Sequence, residues 1–264
     1  MSTRRSEESP NGDIGMRSLG DAGLAVELGG GATGSTIWID PPRAPDGGGV
    51  VVITWAERER VQGMMHASGA WPLICAPEIA AWLERHAPGF PYLRPPCTWE
   101  GIRVEAVGYQ PIAFATPVEA LRKMKSAMRR PHHALSRLRF RAGMPRVSPW
   151  VIHCTLPDGR TIVHLNLSLH RQTPERWVDE VCARWCPVDV VVSGVDYGEE
   201  EAWLKLLPRF EAGHYIVADL LGDVRRRIGL PAGDLAPLAD ALAGRGIRAR
   251  MLMSGGRCVV RFRD

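Results

Sequence analysis

The run Val50-Val51-Val52-Ile53-Thr54 constrains this chain more than any other stretch. Consecutive β-branched apolar residues with no polar alternation have the composition of a strand buried on both faces, so the sheet that contains it must be covered on each side. Around it, Leu24–Leu28 and Ser35–Asp40 are short strand-like runs punctuated by Gly and Pro. Leu73-Ile74-Cys75 leads into a helix over Pro77–Arg85 that opens on proline and carries Ile79, Trp82 and Leu83 on one side. The rhythm is strand, loop, helix, strand.

Further along, Ile102–Val107 reads as a strand, and Pro117–Arg130 as a helix from the spacing of Val118, Leu121, Lys125 and Met128. Trp150–Leu156 and Thr161–Leu169 flank a Pro-Asp-Gly turn at 157–159 and predict a hairpin. Helix and strand then alternate through Pro174–Arg184, Val188–Ser193, Glu199–Leu207, Tyr215–Ala218, Gly233–Ala243, Arg248–Met253 and Val259–Phe262. Two mixed α/β halves with β-rich starts predict two mixed sheets packed on each other and flanked by helices, a four-layer αββα sandwich. Residues 1–18 are expected to be a flexible N-terminus ahead of a single domain over 19–264.

Composition excludes several classes. With 264 residues, 45% of them apolar and 23% charged, the chain can bury a core without staples. Its six cysteines are scattered with no Cys-x-x-Cys spacing, which argues against a zinc or redox motif. Residues 1–15 are polar and lack the apolar core of a secretory signal, and no apolar run approaches the roughly 18 residues of a membrane span. The expectation is a cytoplasmic protein with no membrane contact. The net charge of +4 conceals polarity: nine basic and no acidic residues lie between Arg122 and Arg146, leaving 24 basic against 29 acidic elsewhere, or 24 − 29 = −5.

Two segments carry a family resemblance. Ala25, Ile37-Trp38-Ile39-Asp40-Pro41, Val50 to Thr54, Gly63 and Pro72-Leu73-Ile74-Cys75-Ala76-Pro77-Glu78 resemble, in order, the opening of the metallo-β-lactamase fold superfamily. The Asp-Gly hairpin, the Pro-x-Asp-Val-Val-Val strand at 187–192 and the Ile216-Val217 strand are similar to its second half, so the resemblance spans roughly residues 20–256. It implies the αββα fold, with a basic insertion at about 112–148 where relatives carry substrate-capping elements. It also implies a degenerate member. Where the family has His-x-His-x-Asp-His, this chain has Trp55, Glu57, Glu59 and Arg60. The later ligand positions fall near Tyr109 or Gln110, near Asn166 or Leu167, and near Asp219, and none carries the expected ligand. An Arg where a neutral imidazole should bind a dication, and a Trp in another ligand slot, oppose the two-metal centre.

The residues left in those slots define the candidate site. Glu57 or Glu59 is a candidate general acid or base, with its pKa moved by partial burial or by Arg60; the alternative is a solvated, mutually neutralised loop at a helix start. Tyr109, Asn166 and Asp219 are candidate polar positioning groups. Trp55, Arg60, Gln110, Trp71 and His170 are candidate substrate contacts, the two tryptophans as walls for a flat organic ligand. His164, Asn166, Ser168 and His170 alternate with Leu165, Leu167 and Leu169, which reads either as a half-exposed strand or as a polar row whose far end faces the cleft.

The resulting expectation is a metal-independent, repurposed enzyme with no cofactor, acting on a small organic substrate in bacterial specialised metabolism by cyclisation, isomerisation or hydrolysis. A non-catalytic scaffold that docks an acidic partner through its Arg-rich segment is an alternative, and a hydrolase with one non-standard metal is another. The strip from Arg122 to Arg146 suits an anionic substrate or an acidic carrier protein. Nucleic acid is disfavoured because only Phe140 is interleaved and no recognition motif is present. The same expectation allows a homodimer.

Overall fold

A computed structural model of the protein describes residues 13–21, 23–29, 35–67, 71–110, 143–227 and 234–262, with the side chains at 58, 59 and 62 outside that description. Two seven-stranded sheets form its centre. The first contains β1 (Ile14–Gly20), β2 (Gly23–Leu28), β3 (Thr36–Ile39), β4 (Val50–Val52), β5 (Leu73–Ile74), β6 (Tyr92–Leu93) and β14 (Arg257–Val260), in the order β14-β1-β2-β3-β4-β5-β6. The second contains β7 (Cys97–Trp99), β8 (Ile102–Gly108), β9 (Trp150–Thr155), β10 (Thr161–Asn166), β11 (Val188–Gly194), β12 (Ala212–Ala218) and β13 (Ala249–Leu252), in the order β13-β12-β11-β10-β9-β8-β7. The run β3 to β6 is parallel, as is β10 to β13, and the remaining neighbours are antiparallel.

The continuous apolar runs are explained by what covers them. Val50 and Val52 point into the core between the sheets with Ile37, Ile39, Ile152 and Val190, while Val51 and Ile53 point outward. There α1 (Arg58–Met65) and α2 (Pro77–His86) cover them with Val61, Met64, Ile79 and Trp82. In the second sheet Val191 and Val217 lie under α3 (Glu175–Trp185), α4 (Glu200–Leu206) and α6 (Ala236–Ala243), packed by Val178, Trp203 and Leu238. A further short helix, α5 (Gly222–Arg227), follows β12. Period-2 alternation is thus present, but it alternates between two apolar cores.

Three details differ from the sequence expectation. Residues 14–18, placed in a flexible terminus, belong to β1, which is hydrogen-bonded to both β2 and β14. Ile14 and Met16 are fully buried, and the strand was obscured by the glycines and charges around it. The strand expected over Thr161–Leu169 ends at Asn166, whose φ of 56° turns the chain out of the sheet. That strand is also not half-exposed: His164 and Asn166 are buried between the sheets. The predicted helix at 117–130, and the basic strip up to residue 142, lie outside the described residues; Arg146 is exposed. Among the described residues no helix is long and apolar enough to cross a membrane.

Candidate active site

The site forms where the C-terminal ends of β3, β4 and β10 meet the start of α1. Asp40 follows β3 with φ 46°, a conformation that Asp tolerates better than bulkier residues. Its carboxylate is fully buried and accepts three donors: the Thr54 amide at 2.7 Å on Oδ1, and the Thr54 hydroxyl and Arg60 Nη1 on Oδ2. Because the Thr54 hydroxyl spends its proton on Asp40, its lone pairs are left for Arg60 Nη1 at 3.1 Å and Asn166 Nδ2 at 3.0 Å. Asn166 Oδ1 in turn accepts from Arg60 Nη2 at 3.0 Å. Since a guanidinium only donates, the amide orientation of Asn166 is fixed, and the four side chains close a ring that spans both sheets.

Arg60 is the residue that the ring is built around, and its side chain is 1% exposed. Its depth follows from Gly63, one turn along α1. A Cβ there would stand 2.2 Å from the Pro41 carbonyl oxygen, so only glycine lets the helix lie directly on the chain that leaves β3. Burial opposes the charge of Arg60, but Asp40, then Glu57 and Tyr109, favour it, and its pKa stays above the ordinary value. Burial likewise pushes the Asp40 carboxyl up against the pull of Arg60 and Thr54. The ionised carboxylate is the form its three donors fit, since a carboxyl proton would have no acceptor.

Above the ring, the Trp55 ring centroid lies 5.7 Å from the Arg60 guanidinium carbon. Glu57 occupies the position before α1, with Oε2 3.8 Å from Arg60 Nε and its side chain 35% exposed. The expected solvated loop is therefore only partly so: Glu57 is half-buried and Arg60 is inside the protein. The side chain of Glu59 lies outside the described residues. Tyr109 is buried against Trp177, and its hydroxyl has no hydrogen bond of good geometry among the described residues. Burial raises its pKa, opposed by Arg60 and the Leu167 amide, so it stays a protonated donor.

Other expected site residues are placed differently. His170 is buried beside Tyr109's neighbour: its Nε2 donates to the Gln110 carbonyl at 3.0 Å, because Nδ1 accepts from the Gln172 amide at 3.2 Å. Gln110 itself is exposed. Trp71 uses its indole N–H on the Gly47 carbonyl at 2.7 Å, bracing the glycine loop before β4. Asp219 accepts from the Gly222 amide at 2.7 Å and pairs with Arg226 at 3.2 Å, which ties it to the start of α5.

Sequence reasoning missed Asp40 and Thr54 as site residues, although an acid closing an apolar strand at Ile39-Asp40-Pro41 was a readable signal. It also missed the depth of His164 and Ser168. Both nitrogens of His164 and the Ser168 hydroxyl are buried without partners among the described residues. Burial, then Arg60, lowers the His164 pKa to about 3, so the imidazole is neutral.

These side chains do not fit the fold's metal pair. No group of three or more His, Cys, Asp or Glu that could hold a metal occurs among the described residues. The buried carboxylate of this site, Asp40, is occupied by a guanidinium, and a dication would meet that charge at short range.

Comparison with solved structures agrees with the topology. A metallo hydrolase from the archaeon Ignicoccus hospitalis superposes with TM-score 0.61 at 13% identity, covering 96% of this chain and 100% of its own. A possible metal-dependent hydrolase from Veillonella parvula gives TM-score 0.57 at 12% identity over 94% and 99% of the two chains. The chain has the metallo-β-lactamase fold. The missing metal-holding group among the described residues is consistent with a degenerate member of that fold. No family model matches the sequence, and no curated protein does.

Proposed function

We propose that this metallo-β-lactamase-fold protein is an enzyme that works without the fold's metal, using acid/base chemistry on a small organic substrate at the start of α1. The observation that supports it is the buried guanidinium of Arg60, held by Asp40, Thr54 and Asn166, in the loop where the sequence resemblance puts the family's metal motif. A fixed guanidinium there offers an aimed N–H donor in place of a water-activating Lewis acid. Proton transfer then falls to a side chain. Glu57 is suited to it: it is partly exposed, it sits beside the guanidinium, and carboxylates serve as general bases when they reach the reacting proton. The solved neighbours are hydrolases by description; fold alone does not carry that chemistry over, and hydrolysis, isomerisation and cyclisation all begin with such a proton transfer.

The test combines metal analysis with one substitution. Protein purified without added metal should contain no stoichiometric zinc, iron or manganese, and chelator should leave both its melting temperature and its turnover of small carbonyl compounds and esters unchanged. Glu57→Gln should lower turnover at least a hundredfold with the fold intact. Stoichiometric metal, or full activity in Glu57→Gln, would overturn the reading.

A further inference from the structure

Four polar groups are buried without a hydrogen-bond partner among the described residues: Arg60 Nε, the Tyr109 hydroxyl and the His164 imidazole, both of which interact electrostatically with Arg60, and the hydroxyl of Ser168, two residues past Asn166. Buried polar groups are nearly always paired, so a cluster of orphans asks what pairs with them. All four offer an N–H or O–H, the neutral His164 through the ring nitrogen that carries its proton, so an acceptor is what the group as a whole lacks. Arg60 and Tyr109 interact electrostatically, and the Tyr109 hydroxyl lies beside the Leu167 amide, next to Ser168 in the chain. Charge decides which acceptor. Asp40 already neutralises Arg60, and Glu57 adds a negative charge at 3.8 Å from Nε. With a local sum of −1 from these three groups, an anionic ligand is repelled, whereas a neutral carbonyl oxygen meets only donors.

We infer that the substrate is a small ketone, aldehyde or ester with an α-hydrogen, whose carbonyl oxygen lies on Arg60 Nε and the Tyr109 hydroxyl while Glu57 takes the α-proton to form an enolate. This rests on the metal-free acid/base reading above and gives it a substrate class. In the step, the α-C–H bond breaks and its electron pair forms the C=C bond. The carbonyl π pair moves onto oxygen, and the Glu57 carboxylate carries the proton. Returning that proton to the same carbon exchanges hydrogen with solvent, and returning it to a conjugated carbon isomerises the substrate; nothing is oxidised or reduced. The local charge is −1 before and after, since Glu57 loses a negative charge as the enolate gains one. Tyr109 suits the oxygen because burial keeps it protonated, as a donor to a developing oxyanion must be. Trp55 covers the guanidinium and is only half-buried, so its movement is the entry route that the geometry offers.

Phenolates mimic the enolate oxygen, and a series of nitro- and halophenols of graded acidity is the probe. Wild-type protein should bind the more acidic phenols more tightly and hold them ionised, as read from their absorbance, each phenol entering neutral and passing its proton to Glu57 so that the local sum stays −1. Tyr109→Phe removes an unpartnered hydroxyl and should fold, yet weaken phenolate binding at least tenfold; Glu57→Gln should preserve or tighten it while abolishing deuterium uptake at the α-carbon of a bound ketone. Phenol binding that ignores acidity in the wild type, or that Tyr109→Phe leaves unchanged, overturns the carbonyl assignment even where Glu57→Gln has shown the acid/base reading to hold. Should Glu57→Gln keep full turnover while Tyr109→Phe loses phenolate binding, the acid/base reading fails instead.

Discussion

Arg60 Nη2 donates to Asn166 Oδ1 at 3.0 Å, joining a helix on the first sheet to a strand end of the second. Residues 106 apart in the chain are thereby fixed by a group whose other nitrogen, Nη1, is committed to Asp40 and Thr54. Removing one side of a buried charge pair strands the other, at a cost of about 3–5 kcal/mol, whereas neutralising both is far milder. Arg60→Met should therefore shift the urea midpoint by roughly that free energy at constant slope. Adding Asp40→Asn, which keeps an acceptor for the Thr54 amide, should recover a large part of it. Additive losses in the double variant would show that the pair is not the source of the effect.

His164 makes stability fall with acid. Unfolded, its imidazole takes a proton near 6.5; folded, burial and Arg60 hold it to about 3. Between those values the unfolded chain binds more protons, so this contribution is complete above the unfolded pKa and is lost as pH falls toward the folded one. The slope is at most about 1.4 kcal/mol per pH unit. His164→Leu should flatten it, and should also raise stability at neutral pH, since two buried unpaired nitrogens are replaced by an apolar group in an apolar core. Denaturant titrations of both proteins from pH 7 to pH 4 separate the two, and an unchanged pH slope in the variant would remove His164 as the sensor.

At Asn166, backbone and side chain can be tested apart. Both Asn166→Gly and Asn166→Ala lose the bonds to Arg60 and Thr54, but only alanine must hold a Cβ at φ 56°. Alanine should be the worse by roughly 0.5–1 kcal/mol, because strain at positive φ outweighs the entropy that glycine loses. Equal losses would mean that the turn relaxes.

Much of the fold was legible because its physical cause is local. The run Val50 to Ile53 announces a doubly covered strand, and Asp158-Gly159 announces a hairpin whatever surrounds it. The site was legible only by alignment of its loop. The resemblance sets Trp55, Glu57 and Arg60 in ligand slots and Asn166 near another, and the structure joins Arg60 to Asn166. What could not be read was depth. A sequence Glu-Arg-Glu-Arg looks solvated at every position, yet Arg60 is buried, because Gly63 lets α1 sink onto Pro41 and because Asp40 waits beneath it. The polar row of β10 misled for the same reason, since alternation normally marks water on one face and here marks a polar seam between two apolar sheets. Such a seam depends on partners more than a hundred residues away.

Asp219 tests the boundary of the site. The sequence resemblance sets it near a ligand position, but its carboxylate serves the Gly222 amide and Arg226. A carboxylate accepting amides at a helix start contributes about 1 kcal/mol, and Arg226 is half-exposed, so that pair adds little. Asp219→Ala should lower stability by roughly 1–2 kcal/mol through the cap and leave phenolate binding as in the wild type. Turnover, measured well below the variant's melting temperature, should also be unchanged. A hundredfold loss of turnover in folded Asp219→Ala would instead put the carboxylate within reach of the substrate, and the end of β12 would then have to be included in the site.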